Sequence, residues 1–297
     1  MRVGIVDLGS NSIRLVIFET EKKRLNRIIN VKHQAKSVLY IKENKMSLDG
    51  VTAIIGSLKE LVFIADVYKL DAFRIFATAS LRNIGNSKET IQAIESVISR
   101  RIDLLSDADE ALLGFESLMQ NNENENEACL IDIGGGSMEI THFKDDHVFN
   151  TTSIPYGSLS FYSKHVHNII PNAREQKEMR TFINDQFKKV TWLNDVNVKS
   201  IIGIGGSSRA LLKVCKHIDC QGTSKKDRTL DAQVIGQLSM LDDSHSKSII
   251  SAVPDRLTTM IPGAIMVDEL MKLVSAQEFI VSSASVREGY IYRNMIK

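Results

Sequence analysis

One sequence pattern occurs twice in this chain, and it restricts the fold more than any other feature. Residues 3–15 read VGIVDLGSNSIRL, and residues 128–140 read ACLIDIGGGSMEI. Each copy is an apolar strand ending in Asp, a turn of glycine and small polar residues, and a second apolar strand. Glycine lets a backbone bend sharply and approach a ligand closely, so its amides can point at bound oxygens. The repeat predicts two facing turns that clamp phosphate, each with a carboxylate suited to a metal ion.

The composition excludes several classes of protein. With 297 residues the chain is long enough for one large or two medium domains. Its 37 Lys and Arg against 36 Asp and Glu argue against a dedicated nucleic-acid or membrane-surface protein, which would need a basic field. The first strand starts at Val3 and no apolar run reaches the length of a membrane span, so we expect neither a signal peptide nor a membrane segment. Three cysteines without metal spacing favour the cytoplasm, with Cys129 as a core residue.

Strands and helices alternate along the chain and its two halves open alike, which predicts an α/β fold of two duplicated βαβ halves with a cleft between them. Polar residues 120–127 are predicted to be an exposed connector. The domains are therefore predicted as 1–120 and 121–297, and the last helix (about 287–297) could pack back on the first domain.

Locally we expect further strand over 24–43, a helix over 48–68 capped by Ser47, a capping box from Asn86 to Glu89, and a short buried strand at Ile102–Leu105.

Three turns of small residues are candidate phosphate sites: Gly9–Ser12, Gly134–Ser137 and Gly205–Ser208. The chain has no GxxxxGK[ST] motif, which excludes a P-loop. The third turn lies between a strand and a helix, so its amides lie at a helix N-terminus, where anions bind. Taken alone, it is equally well explained as an ordinary connection between two elements.

Charged residues near these turns are the candidates for chemistry. Arg82 follows a strand end, where ligand sites of α/β proteins collect, although a surface arginine at a helix start is the alternative. Glu110 lies in an acidic helix start, and spacing alone does not separate it from Asp107 or Asp109. Glu139, on the strand that leaves the second turn, is unusual in an apolar strand and is expected to reach back toward the cleft.

Together these motifs resemble the exopolyphosphatase/guanosine pentaphosphate phosphatase family, in its short two-domain form, within the actin-like ATPase superfamily. The resemblance implies that the two domains are ribonuclease H-like. The matching segments run nearly end to end: Asp7–Leu15, Ala77–Asn86, Asp107–Ala111, Ile131–Glu139, Gly203–Leu211, Ile261–Ala264 and Val286–Gly289. The resemblance implies a phosphoanhydride hydrolase that uses Mg²⁺ to release terminal orthophosphate from inorganic polyphosphate or guanosine pentaphosphate. It also implies a homodimer, through the second domain, although the apolar stretch Ile261–Val274 could equally be core.

The resemblance further implies roles for individual residues. Glu110 matches the catalytic glutamate that orients or deprotonates the attacking water. Arg82 matches a phosphate-contacting or cleft-lining position, where its guanidinium is expected to neutralise a transferring phosphoryl group. The residues that match metal-binding positions are Asp7, Asp132 and Glu139. Those that match phosphate-binding positions are Gly9, Ser10, Asn11, Ser12, Gly134, Gly135, Gly136, Ser137, Gly205, Gly206 and Ser207.

The chain departs from the family pattern in three places. Asp107-Ala108-Asp109 replaces a Gly-Glu-Glu segment, Ser160 replaces an arginine, and Thr259 replaces an aspartate. We expect these departures to affect the preference for chain length and the affinity for polyphosphate more than the hydrolytic chemistry.

Three alternative functions stay open: an ATP-dependent small-molecule kinase of the same superfamily, a polyphosphate or alarmone sensor with vestigial hydrolysis, and an actin-like filament former.

Overall fold

The computed structural model describes residues 1–21, 24–121, 125–218, 220 and 228–296. The chain divides into two compact units, one made of Met1–Ser117 with Val286–Lys297 and the other of Leu118–Ser285. Each unit combines a mixed β-sheet with α-helices. None of the helices in the described ranges is both long and apolar enough to cross a membrane.

The first unit contains the N-terminal strands and the last helix of the chain. Its strands are β1 (Arg2–Leu8), β2 (Ile13–Glu21), β3 (Arg24–His33), β4 (Ile41–Lys42), β5 (Lys45–Met46), β6 (Ala72–Ala77) and β7 (Asp103–Leu104). Its helices are α1 (Leu48–Val67), α2 (Ala79–Arg82), α3 (Ser87–Ile98), α4 (Asp107–Gln120), which runs on into the second unit, and α11 (Val286–Asn294). The main sheet has the order β3-β2-β1-β6-β7, in which β1, β2 and β3 are antiparallel and β6 runs parallel to β1.

Both faces of this sheet are buried near its centre. On one face, Val6 and Leu8 pack with residues of α1 and α3. On the other, Val3 and Ile5 pack with Leu113 of α4 and with the apolar side of α11. Side chains alternate between the faces of a strand, which explains why β1 is apolar at nearly every position. The last helix of the chain is therefore part of the core of the first unit.

The second unit repeats this arrangement of strands. Its strands are β8 (Glu127–Ile133), β9 (Met138–Lys144), β10 (His147–Ile154), β11 (Ser200–Ile204), β12 (Thr229–Asp231) and β13 (Glu278–Val281), and its helices are α5 (Ser158–His165), α6 (Ala173–Phe187), α7 (Gly205–Ile218), α8 (Ala232–Ser239), α9 (Ser246–Ala252) and α10 (Met260–Leu273). The sheet order is β10-β9-β8-β11-β13-β12, with β8 to β10 antiparallel and β11 parallel to β8. Cys129 lies in its core, as predicted. Helix α10 is buried over Met260–Met271, so the apolar stretch that includes Ile261 is core.

Several local predictions are confirmed and others are wrong. Ser47 caps α1 by accepting a hydrogen bond from the Gly50 amide. The strand predicted over 24–43 ends at His33, because Lys36 takes a left-handed conformation and a 3-10 turn follows at Ser37–Tyr40. Asn86 forms no capping box, since its side chain bonds both backbone groups of Met46 instead.

One further expectation, the short strand, is wrong in its length and burial, and another, the connector, falls partly on residues outside the described ranges. The strand predicted at Ile102–Leu105 shortens to Asp103–Leu104, and both of these residues are exposed. Ile102 and Leu105 on either side of it are the buried residues. Of the predicted connector 120–127, residue 120 belongs to α4 and residue 127 to β8, and residues 122–124 lie outside the described residues.

Candidate active site

The first predicted phosphate turn joins β1 to β2 and contains a buried donor without an acceptor. The Gly9 amide donates to the Ser12 carbonyl over 3.2 Å and closes the turn. Ser10 and Asn11 are buried in it. The Asn11 Nδ2 amide group has no hydrogen-bond partner within the part of the chain that the structure describes. A buried donor left unsatisfied is costly, so this turn suits a ligand that supplies an acceptor oxygen.

Ser37, which sequence reasoning missed, connects this turn to α2. Its buried hydroxyl lies 3.2 Å from the Gly9 carbonyl oxygen, 3.3 Å from that of Ser10 and 3.0 Å from Ser80 Oγ. Ser80 lies on α2, two residues before Arg82. The sequence carried no signal for this role, because Ser37 falls in the segment expected to be strand. The first turn and α2 are therefore held together by one serine.

Arg82 and Glu110 form a nearly buried ion pair beside this turn. Arg82 Nη1 donates to Glu110 Oε2 over 2.8 Å and to the Leu105 carbonyl over 3.0 Å. Arg82 Nη2 lies 2.5 Å from Asp107 Oδ1. The side chains of Arg82 and Glu110 are only 11% and 10% exposed, whereas that of Asp107 is 51% exposed. The exposed Asp109 bonds to Ser106 and Arg293, so burial distinguishes Glu110 among the three acids.

Asp7, predicted as a metal ligand, is held by an arginine from the far end of the chain. Arg287 Nη1, in the first turn of α11, donates to Asp7 Oδ2 over 2.7 Å, and both side chains are at most one-fifth exposed. A Cβ on Gly289 would lie 1.9 Å from the Leu113 carbonyl oxygen. Glycine therefore lets α11 contact the backbone of α4 and brings Arg287 to Asp7. The segment Val286–Gly289, one of the matched segments of the sequence, contains Arg287. That Arg287 pairs with Asp7 became visible only in the fold.

The second predicted turn has the same hydrogen bond as the first. The Gly134 amide donates to the Ser137 carbonyl over 3.0 Å. The start of α5 covers this turn: the Ser158 amide donates to the Gly134 carbonyl, and the Ser160 amide to that of Gly135. In a trans peptide, a carbonyl and the following amide point in opposite directions. The amides of Gly135 and Gly136 therefore point away from α5.

The third turn packs against the end of β8. Gly205 has a φ of +78°, and a Cβ there would lie 2.2 Å from Asp132 Oδ1. A Cβ on Gly206 would lie 2.0 Å from Arg256 Nη2. The Ser207 hydroxyl donates to the Ile133 carbonyl over 2.7 Å and accepts from Arg256 Nη1 over 3.2 Å. The second and third turns thus meet at the carboxyl ends of two parallel strands, where α/β proteins bind ligands.

Arg256 is a second residue that sequence reasoning missed. Burial lowers the pKa of its guanidinium, while the carboxylates of Asp255 and Asp132 act in the opposite direction. An arginine stays charged in proteins even so, so Arg256 places a positive charge beside Gly206 and Ser207. One sequence signal for Arg256 was available, namely its position shortly before the matched segment that begins at Ile261. The second unit therefore combines two turns with a cation.

Asp132 and Glu139 lie opposite each other on β8 and β9. They are paired residues in the antiparallel ladder, so their Cβ atoms are about 5 Å apart on one face of the sheet. Glu139 is buried and accepts a hydrogen bond from Ser153 Oγ over 3.1 Å. Within the described ranges, no set of three or more His, Cys, Asp or Glu side chains could hold a metal ion. The metal-type residues of this unit are therefore a pair, and Asp7 belongs to the other unit.

The structure thus gathers the predicted site residues into two clusters, one in each unit. The first cluster contains Asp7, the turn Gly9–Ser12, Arg82 and Glu110, with Ser37 and Arg287 added by the fold. The second contains Asp132, Glu139, the turns Gly134–Ser137 and Gly205–Ser207, with Arg256 added by the fold. Each cluster combines at least one glycine-containing turn, carboxylates and at least one arginine, a combination suited to phosphate chemistry.

Comparison with known proteins identifies the family. The model of the Ppx/GppA phosphatase family matches residues 7–297. Exopolyphosphatase 1 of Mycobacterium leprae is 20% identical over 99% of this chain and 90% of its own length. The guanosine-5'-triphosphate,3'-diphosphate pyrophosphatase of Pseudoalteromonas atlantica is 23% identical over 97% of this chain and 57% of its own length.

A crystal structure of an exopolyphosphatase from Cytophaga hutchinsonii superposes with a TM-score of 0.85, at 20% identity, and the match covers 98% of this chain and 97% of that one. The predicted fold class is confirmed by this shared fold. The family match covers the motifs of both clusters, from Asp7 in the first strand to the helix that carries Arg287. The chain therefore belongs to the Ppx/GppA phosphatase family, as the resemblance of its motifs predicted.

Proposed function

We propose that this protein hydrolyses the terminal phosphoanhydride bond of inorganic polyphosphate or of guanosine pentaphosphate. The observation that carries the proposal is the nearly buried Arg82–Glu110 pair, tied through Ser80 and Ser37 to a turn with an unsatisfied Asn11 amide. The names of the Mycobacterium leprae and Pseudoalteromonas atlantica relatives support the two substrate classes. Both substrates present a terminal phosphoanhydride to the same groups.

In the proposed reaction, Glu110 orients a water molecule and accepts its proton as the water oxygen attacks the terminal phosphorus in line. A new P–O bond forms, the anhydride P–O bond opposite to it breaks, and orthophosphate leaves the shortened chain. The Arg82 guanidinium neutralises charge on the transferring phosphoryl group and orients the Glu110 carboxylate through its 2.8 Å hydrogen bond. Such positioning and charge neutralisation supply most of the catalysis of phosphoryl transfer.

The second cluster is proposed to bind phosphate. The Gly135 and Gly136 amides and the N-terminus of α7 at Gly205 are donors suited to anionic oxygens. Arg256 adds a positive charge at Ser207. Ser160, where the family has arginine, instead bonds the backbone of Gly157 at the start of α5. Arg256, which lies on a different segment, therefore places a cation next to the third turn.

Magnesium is the cofactor that the resemblance implies, and Asp132 and Glu139 fit it. Mg²⁺ binds proteins through one or two carboxylates and keeps several waters, so a facing pair of acids is sufficient. When bound there, the ion would neutralise charge on phosphate oxygens. Asp7 already pairs with Arg287, so we propose it as a residue of the first turn rather than a direct ligand. Binding of Mn²⁺, followed by electron paramagnetic resonance without substrate, is expected to weaken in Asp132→Asn and Glu139→Gln.

The decisive experiment measures phosphate release from long-chain polyphosphate and from guanosine pentaphosphate, each with Mg²⁺ and with EDTA. We expect metal-dependent release from at least one substrate, and release by Glu110→Gln lowered about 10²- to 10⁴-fold. Phosphate transfer from ATP to an added acceptor, without hydrolysis, would instead support the kinase alternative. Tight binding of either substrate without turnover would support the sensor, although the altered residues Asp107 and Asp109 are exposed and lie outside the buried pair.

A further inference from the structure

The carbonyl groups of the first turn are hydrogen-bonded by one short segment, residues 36–38. The first and last amides of this segment donate to the carbonyls of Asn11 and Ser10, over 3.0 and 3.2 Å. The hydroxyl of Ser37, between them, lies 3.2 Å from the Gly9 carbonyl oxygen. The described peptide bonds are all trans, so the amide that follows each carbonyl points in the opposite direction. The 36–38 segment therefore fixes the orientation of three consecutive peptide groups of the turn.

Ser37 also connects the 36–38 segment to α2. Its Oγ lies 3.0 Å from Ser80 Oγ, and both serines are only 1% exposed. A hydroxyl has one proton, whereas the carbonyl oxygens of Gly9 and Ser10 can only accept. Ser37 therefore donates its proton toward these carbonyls, at 3.2 and 3.3 Å, and accepts the proton of Ser80. The hydrogen bonds thus run in one direction, from α2 to Ser37 and from Ser37 to the turn.

Helix α2 depends on such contacts because it is only one turn long. A single turn, Ala79–Arg82, is too short to be stable by itself. Successive residues of a helix differ by about 100°, so Ser80 and Arg82 point to nearly opposite sides of α2. Leu81 between them is buried in the core of the first unit. Ser80 thus ties one side of α2 to the turn, and Arg82 extends from the other side to Glu110.

Two further observations indicate that this arrangement serves geometry more than stability. Lys36, in the same segment, has a φ of 45° and a ψ of 43°, a left-handed conformation that strains a residue with a side chain. Such strain is found mostly at functional sites. Replacing both members of a buried hydrogen-bonded pair by apolar groups costs a fold little. Two buried hydroxyls are therefore not required to hold α2 in the core.

We propose that Ser37 is a positioning residue, which sets the distance between the first turn and the Arg82–Glu110 pair. The proposal rests on the proposed function, because it assigns the terminal phosphate to the turn and the attacking water to Glu110. The phosphate then lies on one side of Ser37, and the groups that act on it lie on the other side. A displacement of about 1 Å can slow a reaction about a hundredfold. Ser37 therefore affects the rate of hydrolysis more than the affinity for substrate.

A double-mutant cycle of Ser37→Ala and Ser80→Ala tests the proposal. Phosphate release from long-chain polyphosphate gives kcat and KM for each single variant and for the double variant. We expect each single variant to lower kcat about tenfold and to change KM less than about twofold, because the backbone bonds of the 36–38 segment to the turn remain. The double variant should lower kcat no further than Ser37→Ala, since both changes remove the same hydrogen bond. Effects that multiply in the double variant would overturn the proposal.

Ser239→Ala is the matched control for a purely structural effect. Ser239 is a buried serine of α8, and its hydroxyl bonds the Gly236 carbonyl and Asp268 over 2.7 and 2.8 Å. Its loss should lower the melting temperature and leave kcat at the wild-type value. The double variant removes both hydroxyls of the Ser37–Ser80 pair, so its melting temperature should stay near that of the wild type. A loss of kcat that only follows the folded fraction would show that Ser37 is structural, and would overturn the proposal.

Hydrogen exchange distinguishes this proposal from the proposed function, because it requires no turnover. Polyphosphate bound at the turn should slow the exchange of the α2 amides in the wild type, and slow it less in Ser37→Ala, since the connection is broken. If the wild type hydrolyses neither substrate but shows this difference, the hydrolase fails and the positioning role is supported. If the wild type hydrolyses polyphosphate while Ser37→Ala keeps its kcat and its protection of α2, the positioning role is refuted and the hydrolase is supported.

Discussion

The Arg287 guanidinium donates a hydrogen bond to the Asp7 carboxylate over 2.7 Å, and the two residues are 280 positions apart in the sequence. This pair connects the first strand of the chain to its last helix within the first unit. Gly289 makes it possible, because α11 contacts the Leu113 carbonyl where any side chain would collide. The position of Asp7 in the candidate active site therefore depends on the C-terminal helix.

Removal of Arg287 is expected to destabilise the first unit. Arg287→Ala would leave a mostly buried Asp7 carboxylate without this partner, at a cost of about 3 kcal/mol in the free energy of unfolding. The control is Arg293→Ala on the same helix, which breaks a more exposed pair with Glu116 and should cost about 0.5 kcal/mol. Urea unfolding measures both values. Equal, small losses in the two variants would show that the buried pair does not stabilise the helix.

Glu110→Gln is expected to lower turnover about 10²- to 10⁴-fold, the range for loss of a general base. The amide keeps the shape of the side chain and an acceptor for Arg82, so substrate affinity should stay near that of the wild type. Phosphate release and calorimetry on the same preparation separate the two effects. Asp109→Asn, at an exposed acid of the same helix start, is the matched control and should retain activity. Full turnover by Glu110→Gln would remove Glu110 from the mechanism.

Gly206→Ala tests the role of Arg256 without changing its charge. The new Cβ would lie 2.0 Å from Arg256 Nη2, so the guanidinium must move away from the third turn. Because we propose that Arg256 binds phosphate, KM should rise about tenfold, the effect of losing one charge-assisted hydrogen bond.

The control for Gly206→Ala is Gly56→Ala in α1. A Cβ at Gly56 meets nothing within 4 Å, and alanine should stabilise the helix by about 0.5–1 kcal/mol with no effect on KM. Steady-state kinetics and thermal unfolding measure the two effects. An unchanged KM for Gly206→Ala would indicate that Arg256 does not contact substrate.

The acid sensitivity of the fold is expected to depend on a buried network around α10. Burial alone would raise the pKa of Asp268, but hydrogen bonds from Arg180, Ser239 and Lys272 outweigh it and hold the pKa below its ordinary value. The pKa of Glu269 is lowered too, again against the effect of burial, by Lys272, Asn184 and Arg180. A carboxyl whose pKa is lower in the folded chain stabilises the fold above its unfolded pKa, and this contribution is lost as the pH falls through the folded pKa.

The melting temperature should therefore decrease as the pH is lowered below about 4, the ordinary range of carboxyl groups. In Arg180→Gln the two carboxyls lose a cation, their pKa values rise, and the decrease should begin at a higher pH. Arg174→Gln, which breaks an exposed pair with Glu178 on the same helix, should follow the wild-type curve. Identical pH profiles for all three proteins would show that Arg180 does not hold down the pKa values of Asp268 and Glu269.

Much of the architecture followed from the sequence by itself. The two Asp-and-glycine turns and the cap at Ser47 depend on residues close together in the chain. Apolar periodicity and glycine-rich turns act over such short distances, so the residue order determines them. Where a distant segment intervenes, the same reasoning failed, as when Asn86 bonded Met46 in place of its own helix.

Only the tertiary structure decided which charged residues act together. Spacing left Glu110, Asp107 and Asp109 equivalent, and packing of α4 against Arg82 buried only Glu110. Arg287 reached Asp7, and Arg256 reached Ser207, across segments that no local pattern relates. Ion pairs and burial depend on which surfaces meet when the core forms, and residues far apart in sequence contribute to that packing. The sequence therefore determined the turns, and the packing of the helices determined the charges placed beside them.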